Sequence, residues 1–148
     1  MSQDQADIAR ESALLFFGTM PFGRLLGIQP TTLAREEVRG RMDWAADRCT
    51  VGGILHGGAL MSFADSLGAL CAFLNLPPGA STSTIESKTN FFRAVRGGTV
   101  EGVSRPLHVG RATIVVQTDL LDDRGRRVAQ VTQTQAVLTP SGVGPNVG

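Results

Sequence analysis

Asp65 is the one carboxylate in GILHGGALMSFADS, residues 53–66, a stretch otherwise suited to a protein interior. An ionised carboxylate taken out of water without partners costs several kcal/mol. Asp65 must therefore face solvent, an opposite charge or a cavity. Two readings are open: an ion pair with an arginine at a strand or subunit contact, or a cavity in which the carboxylate acts as base or nucleophile. His56-Gly57-Gly58 stands just before it. A helix starting there would expose unpaired N–H groups and a partial positive charge, suited to a carbonyl oxygen that is gaining negative charge. Glycines admit a ligand close to that backbone, although they serve a plain tight turn equally well. His56 by itself fits a structural role as readily as a chemical one. Donors at a helix start and a carboxylate two turns later suit acyl transfer.

Other chemistries find less support. There is no GxSxG, and Ser62 and Ser66 fall inside the helical stretch, sharing a face with Asp65 at i, i+3 and i+4. His56, His108, Cys49 and Cys71 lack the spacing of a zinc site, so no metal is expected. GxGxxG is absent, which argues against a dinucleotide fold. Fourteen basic against thirteen acidic residues leave a net charge of +1, too weak a field for nucleic acid. Lys88 is the only lysine, and the arginines suit forked phosphate contacts, though compositional bias explains them equally. Two isolated cysteines point to a reducing, cytoplasmic setting. No leader is expected, and no membrane span outside the Gly- and Ser-interrupted run at 57–74.

These residues need elements to hold them. One domain over 1–148 fits the length. An amphipathic helix is predicted over 4–16, ended by Gly18 and Pro21, so that residues 1–20 form a helical flap or lid. Short strands are predicted at 28–35 and 37–44, with a bend at Glu36 and Glu37. Gly57 to Leu74 reads as one helix, apolar almost all round and therefore buried on most of its circumference. Strands are predicted next at 81–93, 98–108, 111–121 and 127–138, the last two joined by a DDRG hairpin turn at 122–125. Such long strands make a curved sheet able to wrap one helix, an α+β arrangement. Residues 139–148 carry turn and disorder types and read as a flexible tail.

The segments PFGRLLGI, GGILHGGALMSFADSLGALCA, SKTNFFRAV and VAQVTQTQAVL together resemble the hotdog-fold acyl-CoA thioesterases of the PaaI type, over residues 20–138. HGG followed by an Ala-Asp pair within the helix is the most specific part. The resemblance implies a long central helix wrapped by a curved antiparallel sheet of five to six strands, preceded by an N-terminal helix. It also implies a homodimer that assembles into a homotetramer, with active sites at the dimer interface. Asp65 would then be the catalytic nucleophile or general base, and Gly57 and Gly58 would offer N–H groups to the thioester carbonyl. His56 would orient the loop or the carbonyl, and Thr84 would help hold the attacking water. Many relatives place an asparagine six residues before the histidine; Thr50 stands there and cannot offer an amide N–H.

The substrate implied is an acyl-CoA, coenzyme A being part of that substrate and not a cofactor. Arg93, Arg96, Arg105 and Arg111 flank the later strands and offer charge-assisted bonds to phosphates, or serve as solvated surface residues. His108-Val109-Gly110-Arg111 is the favoured segment for the nucleotide, because the resemblance brings it to that strand connection. Phe17, Phe22, Met61 and Phe91 are candidates for the acyl pocket and equally for the core. Two other readings stand beside hydrolysis: a hotdog hydratase or dehydratase, and an acyl-CoA-binding module without turnover. The acyl group, whether aryl, phenylacetyl-like or medium-chain, is not specified.

Overall fold

The computed structural model of the chain describes residues 2–140; most of the expected tail, 141–148, lies outside the described residues. Its centre is a helix, Gly57–Leu74 (α3), whose Leu60, Phe63, Ala64, Leu67, Leu70, Cys71 and Ala72 are buried. By length and composition alone this helix is apolar enough to cross a membrane. Here its apolar surface is covered instead by a sheet and a second helix, as a helix hydrophobic on nearly every side requires.

The sheet is built from Gln29–Leu33 (β1), Val38–Asp43 (β2), Ser81–Phe91 (β3), Thr99–Val109 (β4), Thr113–Leu121 (β5) and Arg127–Leu138 (β6). Its order is β1-β2-β4-β5-β6-β3, and every pairing is antiparallel. Alternation decides which side is inward: in β5, Ile114, Val116, Thr118 and Leu120 are buried while their neighbours are half-exposed. Ser104 and Thr118 pair across β4 and β5, and their buried hydroxyls satisfy each other at 2.6 Å. Gly40 and Gly102 stand opposite each other on β2 and β4. A Cβ at either would run into the Leu67 side chain, so this glycine pair lets the helix sink into the curve of the sheet.

Gln3–Gly18 (α1) is opened by a capping box between Ser2 and Gln5 and lies against α3, with Phe16 stacked on Phe73 at 4.5 Å between ring centres. Pro21–Leu25 forms a further short helix (α2) that hydropathy did not suggest. Proline at its first turn fits the position, because the missing N–H has no intrahelical partner there. The remaining elements agree with the sequence expectations to within a few residues. Strand ends move because pairing, and not propensity, sets them: β1 stops at Leu33 and β5 begins only at Thr113, after a turn closed by the Gly110 N–H to the Thr113 carbonyl.

The pairing of β3 with β6 is irregular at one point. The register shifts between Thr84, opposite Gln135, and Glu86, opposite Thr134. Side chains alternate along a strand, so Thr84 and Phe91 would ordinarily point to opposite faces. The bulge at Ile85 restores the phase, and both meet α3.

Candidate active site

Asp65 sits half-buried on α3 where that helix faces the β3 and β6 edge. Its Oδ1 accepts two hydrogen bonds, from the Thr84 hydroxyl at 3.3 Å and from Gln133 Nε2 at 3.1 Å. The Thr84 oxygen in turn accepts from Gln135 Nε2 at 2.8 Å, and Gln135 Oε1 accepts from the Thr82 hydroxyl at 3.1 Å. A hydroxyl has one proton, and with Gln135 donating to its oxygen Thr84 directs that proton to Asp65. Both donors are thus aimed at the same carboxylate oxygen. Asp65 Oδ2 accepts no hydrogen bond from the described residues and is not sealed from solvent. No arginine forms an ion pair with Asp65 among the described residues.

His56 is the N-cap of α3, its Nδ1 accepting from the Gly58 N–H at 2.8 Å. The donor expected of Gly58 is therefore engaged within the turn. With Nδ1 as acceptor, the neutral ring carries its proton on Nε2. The N–H groups of Ala59 and Leu60 close on the His56 carbonyl, which leaves the Gly57 N–H without a partner among the described residues. Gly57 lines a cleft of about 370 Å³ together with Thr50, Ile54, Leu60, Phe91, Phe92 and Arg93. The Phe91 ring lies across Gly57, close enough that a Cβ there would stand 3.1 Å from it. Glycine is favoured here by that approach. A second cleft, also about 370 Å³, lies on the other side of the helix start, where His56, Gly58 and Ser62 face Phe22 and Arg48.

The expected site residues separate into two groups. Thr50, Gly57 and Arg93 line one cleft, with Phe91 as its wall. Asp65 and Thr84 meet two turns along the helix, about 12 Å away along its axis. His108 and Gly110 close the far end of β4, where Val109, Ile114, Gln135 and Thr84 form one row across the sheet. They and the exposed Arg111 lie toward the Asp65 group and away from Gly57. Of the other arginines, Arg105 pairs with Glu37, and Arg96 donates to the Gly52 carbonyl at 3.2 Å. Phe17 belongs to the core, whereas Phe22, Met61 and Phe91 are exposed. Ser62 and Ser66 donate to carbonyls one turn back, Gly58 and Ser62, as hydroxyls within a helix do. Burial pushes the Cys71 thiol up to about 12, far from a nucleophilic thiolate. Among the described residues no cluster of His, Cys, Asp or Glu could hold a metal ion.

Gln133, Gln135 and Thr82 were not anticipated from the sequence. A signal exists: Val131, Gln133, Gln135 and Val137 share one phase of β6, so two amides occupy positions where the alternation calls for apolar side chains.

Residues 52–129 match the family model described as the Thioesterase superfamily. The proofreading thioesterase EntH of Cronobacter turicensis is 32% identical over 113 residues, 76% of this chain and 82% of that protein. The 1,4-dihydroxy-2-naphthoyl-CoA hydrolase of Escherichia coli is 35% identical over 86 residues, 58% of this chain and 63% of its own. The structure of the E. coli PaaI protein, from the phenylacetic acid degradation operon, superposes with a TM-score of 0.84 over 92% of this chain and 97% of that one, at 19% identity.

Proposed function

Because the chain belongs to the thioesterase superfamily and has its hotdog fold, with thioester hydrolysis as the general activity, we propose that it hydrolyses an acyl-CoA to the free acid and coenzyme A, as a PaaI-type enzyme. The observation that carries this reading is the state of Asp65: held by Oδ1, unpaired by any arginine among the described residues, and open at Oδ2. In this reading Asp65 Oδ2 takes a proton from water, or attacks directly, while the Gly57 N–H donates to the carbonyl oxygen as negative charge builds there. On the base route the adduct collapses with cleavage of the carbon–sulfur bond, and the thiolate takes the proton held by Asp65. On the nucleophile route that cleavage leaves an acyl anhydride on Asp65, which water hydrolyses to the free acid, restoring the carboxylate and supplying the thiolate's proton. The curated relatives include a hydrolase named for an aryl-CoA, which supports coenzyme A thioesters as the substrate class. His56 caps the helix start, and in this reading Arg93, which lines the Gly57 cleft, and the exposed Arg111 are the candidate phosphate contacts.

Gly57 and Asp65 of one chain are two helical turns apart, too far to serve one carbonyl carbon. Each site is accordingly assembled from two copies, Gly57 from one protomer and Asp65 from the other. β3 supports this pairing: it is an edge strand of 11 residues, mostly exposed, with no described strand on its outer side. The assembly proposed is a homodimer, doubling to a homotetramer. Thiol release from a panel of acyl-CoAs tests the activity, and Asp65→Asn is expected to lower kcat by at least about 10²-fold. Near-normal turnover in that variant removes Asp65 from the mechanism.

A further inference from the structure

Gln133 is fully buried between β6 and α3, in a place that a leucine would fill without any polar penalty. Its Oε1 is buried and has no partner among the described residues, an arrangement that costs stability. The side chain fits only because residue 68 is glycine: a Cβ there would overlap the Gln133 carboxamide. Glycine within a helix is itself unfavourable relative to alanine. Two unfavourable choices thus meet at one point, and the polar contact they create is the bond from Gln133 Nε2 to Asp65 Oδ1.

That bond is one of two on the same oxygen. Thr84 donates to it as well, its proton turned that way by Gln135, which is itself almost fully buried. Two donors from two different strands fix the plane of the carboxylate as well as its position. One oxygen is then committed to the scaffold and the other keeps its lone pairs free. We propose that Gln133, seated by Gly68, is a positioning residue that holds Asp65 by Oδ1 and so makes Oδ2 the reacting oxygen. This role rests on the reading of Asp65 as the catalytic carboxylate.

The side chains that bond to Asp65, and those that bond to them in turn, are neutral. β3 contributes Thr82 and Thr84, and β6 contributes Gln133 and Gln135. The nearest charge on these strands, Glu86, accepts from Thr134, whose place in the β6 alternation is opposite to that of Gln133. His108 and Arg111 lie at the same end of the sheet, and His56 and Arg93 of a second copy would face the site. None of them is bonded to Asp65 among the described residues, so a new carboxylate at residue 133 would be the charge in direct contact with it.

The experiment compares kcat, KM and the pH dependence of kcat in the unchanged protein, Gln133→Leu, Gln133→Glu and Asp65→Asn, with melting curves for each. If Asp65→Asn retains turnover, the catalytic reading itself has failed, independently of Gln133. If Asp65→Asn is inactive as expected, Gln133→Leu should lower kcat by about 10²-fold through misplacement of the carboxylate, with KM changed little. In the Asp65→Asn background the same change should lower the residual rate no further, because Gln133 acts only through Asp65. Gln133→Glu should move the acid limb of the kcat profile to higher pH, since two neighbouring carboxylates resist joint ionisation. An unchanged kcat in Gln133→Leu, an equal loss in both backgrounds, or an unmoved limb in Gln133→Glu each overturns the proposal. Should neither variant fold, a neutron structure of the unchanged protein decides: an amide nitrogen directed at Asp65 is expected, and an amide turned away overturns it.

Discussion

At the scale of single residues, the helix start separates into a capping group and a free donor. His56 Nδ1 engages the Gly58 N–H, and the Gly57 N–H alone is left for a carbonyl oxygen. Gly57→Pro removes that donor with little damage to the backbone. Proline is tolerated at the first position of a helix, and His56, at φ −62° and ψ 135°, already has the extended conformation that precedes a proline. We expect kcat to fall by about 10²- to 10³-fold, the usual loss for one oxyanion donor. Gly57→Ala keeps the N–H and only presses on Phe91, which must give by a few tenths of an ångström. A much smaller loss in the alanine variant, measured by thiol release, separates the donor from crowding. That a helix starts at HGG with unpaired N–H groups was legible in the sequence, because these are local properties. Which glycine keeps its donor was not, since that depends on the rotamer of His56.

At the scale of elements, the sheet has to curve closely around α3. The cross-strand pair Gly40 and Gly102 makes room for Leu67, and Phe63 lies 3.0 Å from where a Gly102 Cβ would stand. Gly102→Ala therefore overpacks a site where side chains have no room to yield. A loss of about 1–3 kcal/mol is expected in denaturant unfolding, far more than an exposed strand position would show. The bulge at Ile85 has the complementary role: it places Thr84 against Asp65 and Phe91 against Gly57 on one face. The long helix and the later strands were readable from their periodicity. The bulge was not, because a shift of register is a property of two paired strands and leaves no mark in the composition of one.

At the scale of the whole molecule, the proposed site takes Gly57 from one copy and Asp65 from another, because the two stand about 12 Å apart along one helix. Asp65→Asn and Gly57→Pro proteins, each inactive alone, should recover activity when unfolded and refolded together. A mixed dimer then has one site with both lesions and one with neither. At equal amounts and random pairing, about a quarter of wild-type activity is expected by two-fold symmetry. No recovery, with mixed dimers demonstrated by mass, places the whole site within one chain. Sequence alone determined the identities and order of the parts: a helix apolar almost all round, strands enough to wrap it, a glycine-rich helix start and a lone carboxylate two turns on. These are set by side-chain chemistry and by periodicity over short spans of chain. The tertiary structure decided what surrounds that carboxylate. Gln133 and Thr84 come from strands distant in the chain, and only their packing against Gly68 and Asp65 brings two donors to one carboxylate oxygen, while the other accepts none from the described residues.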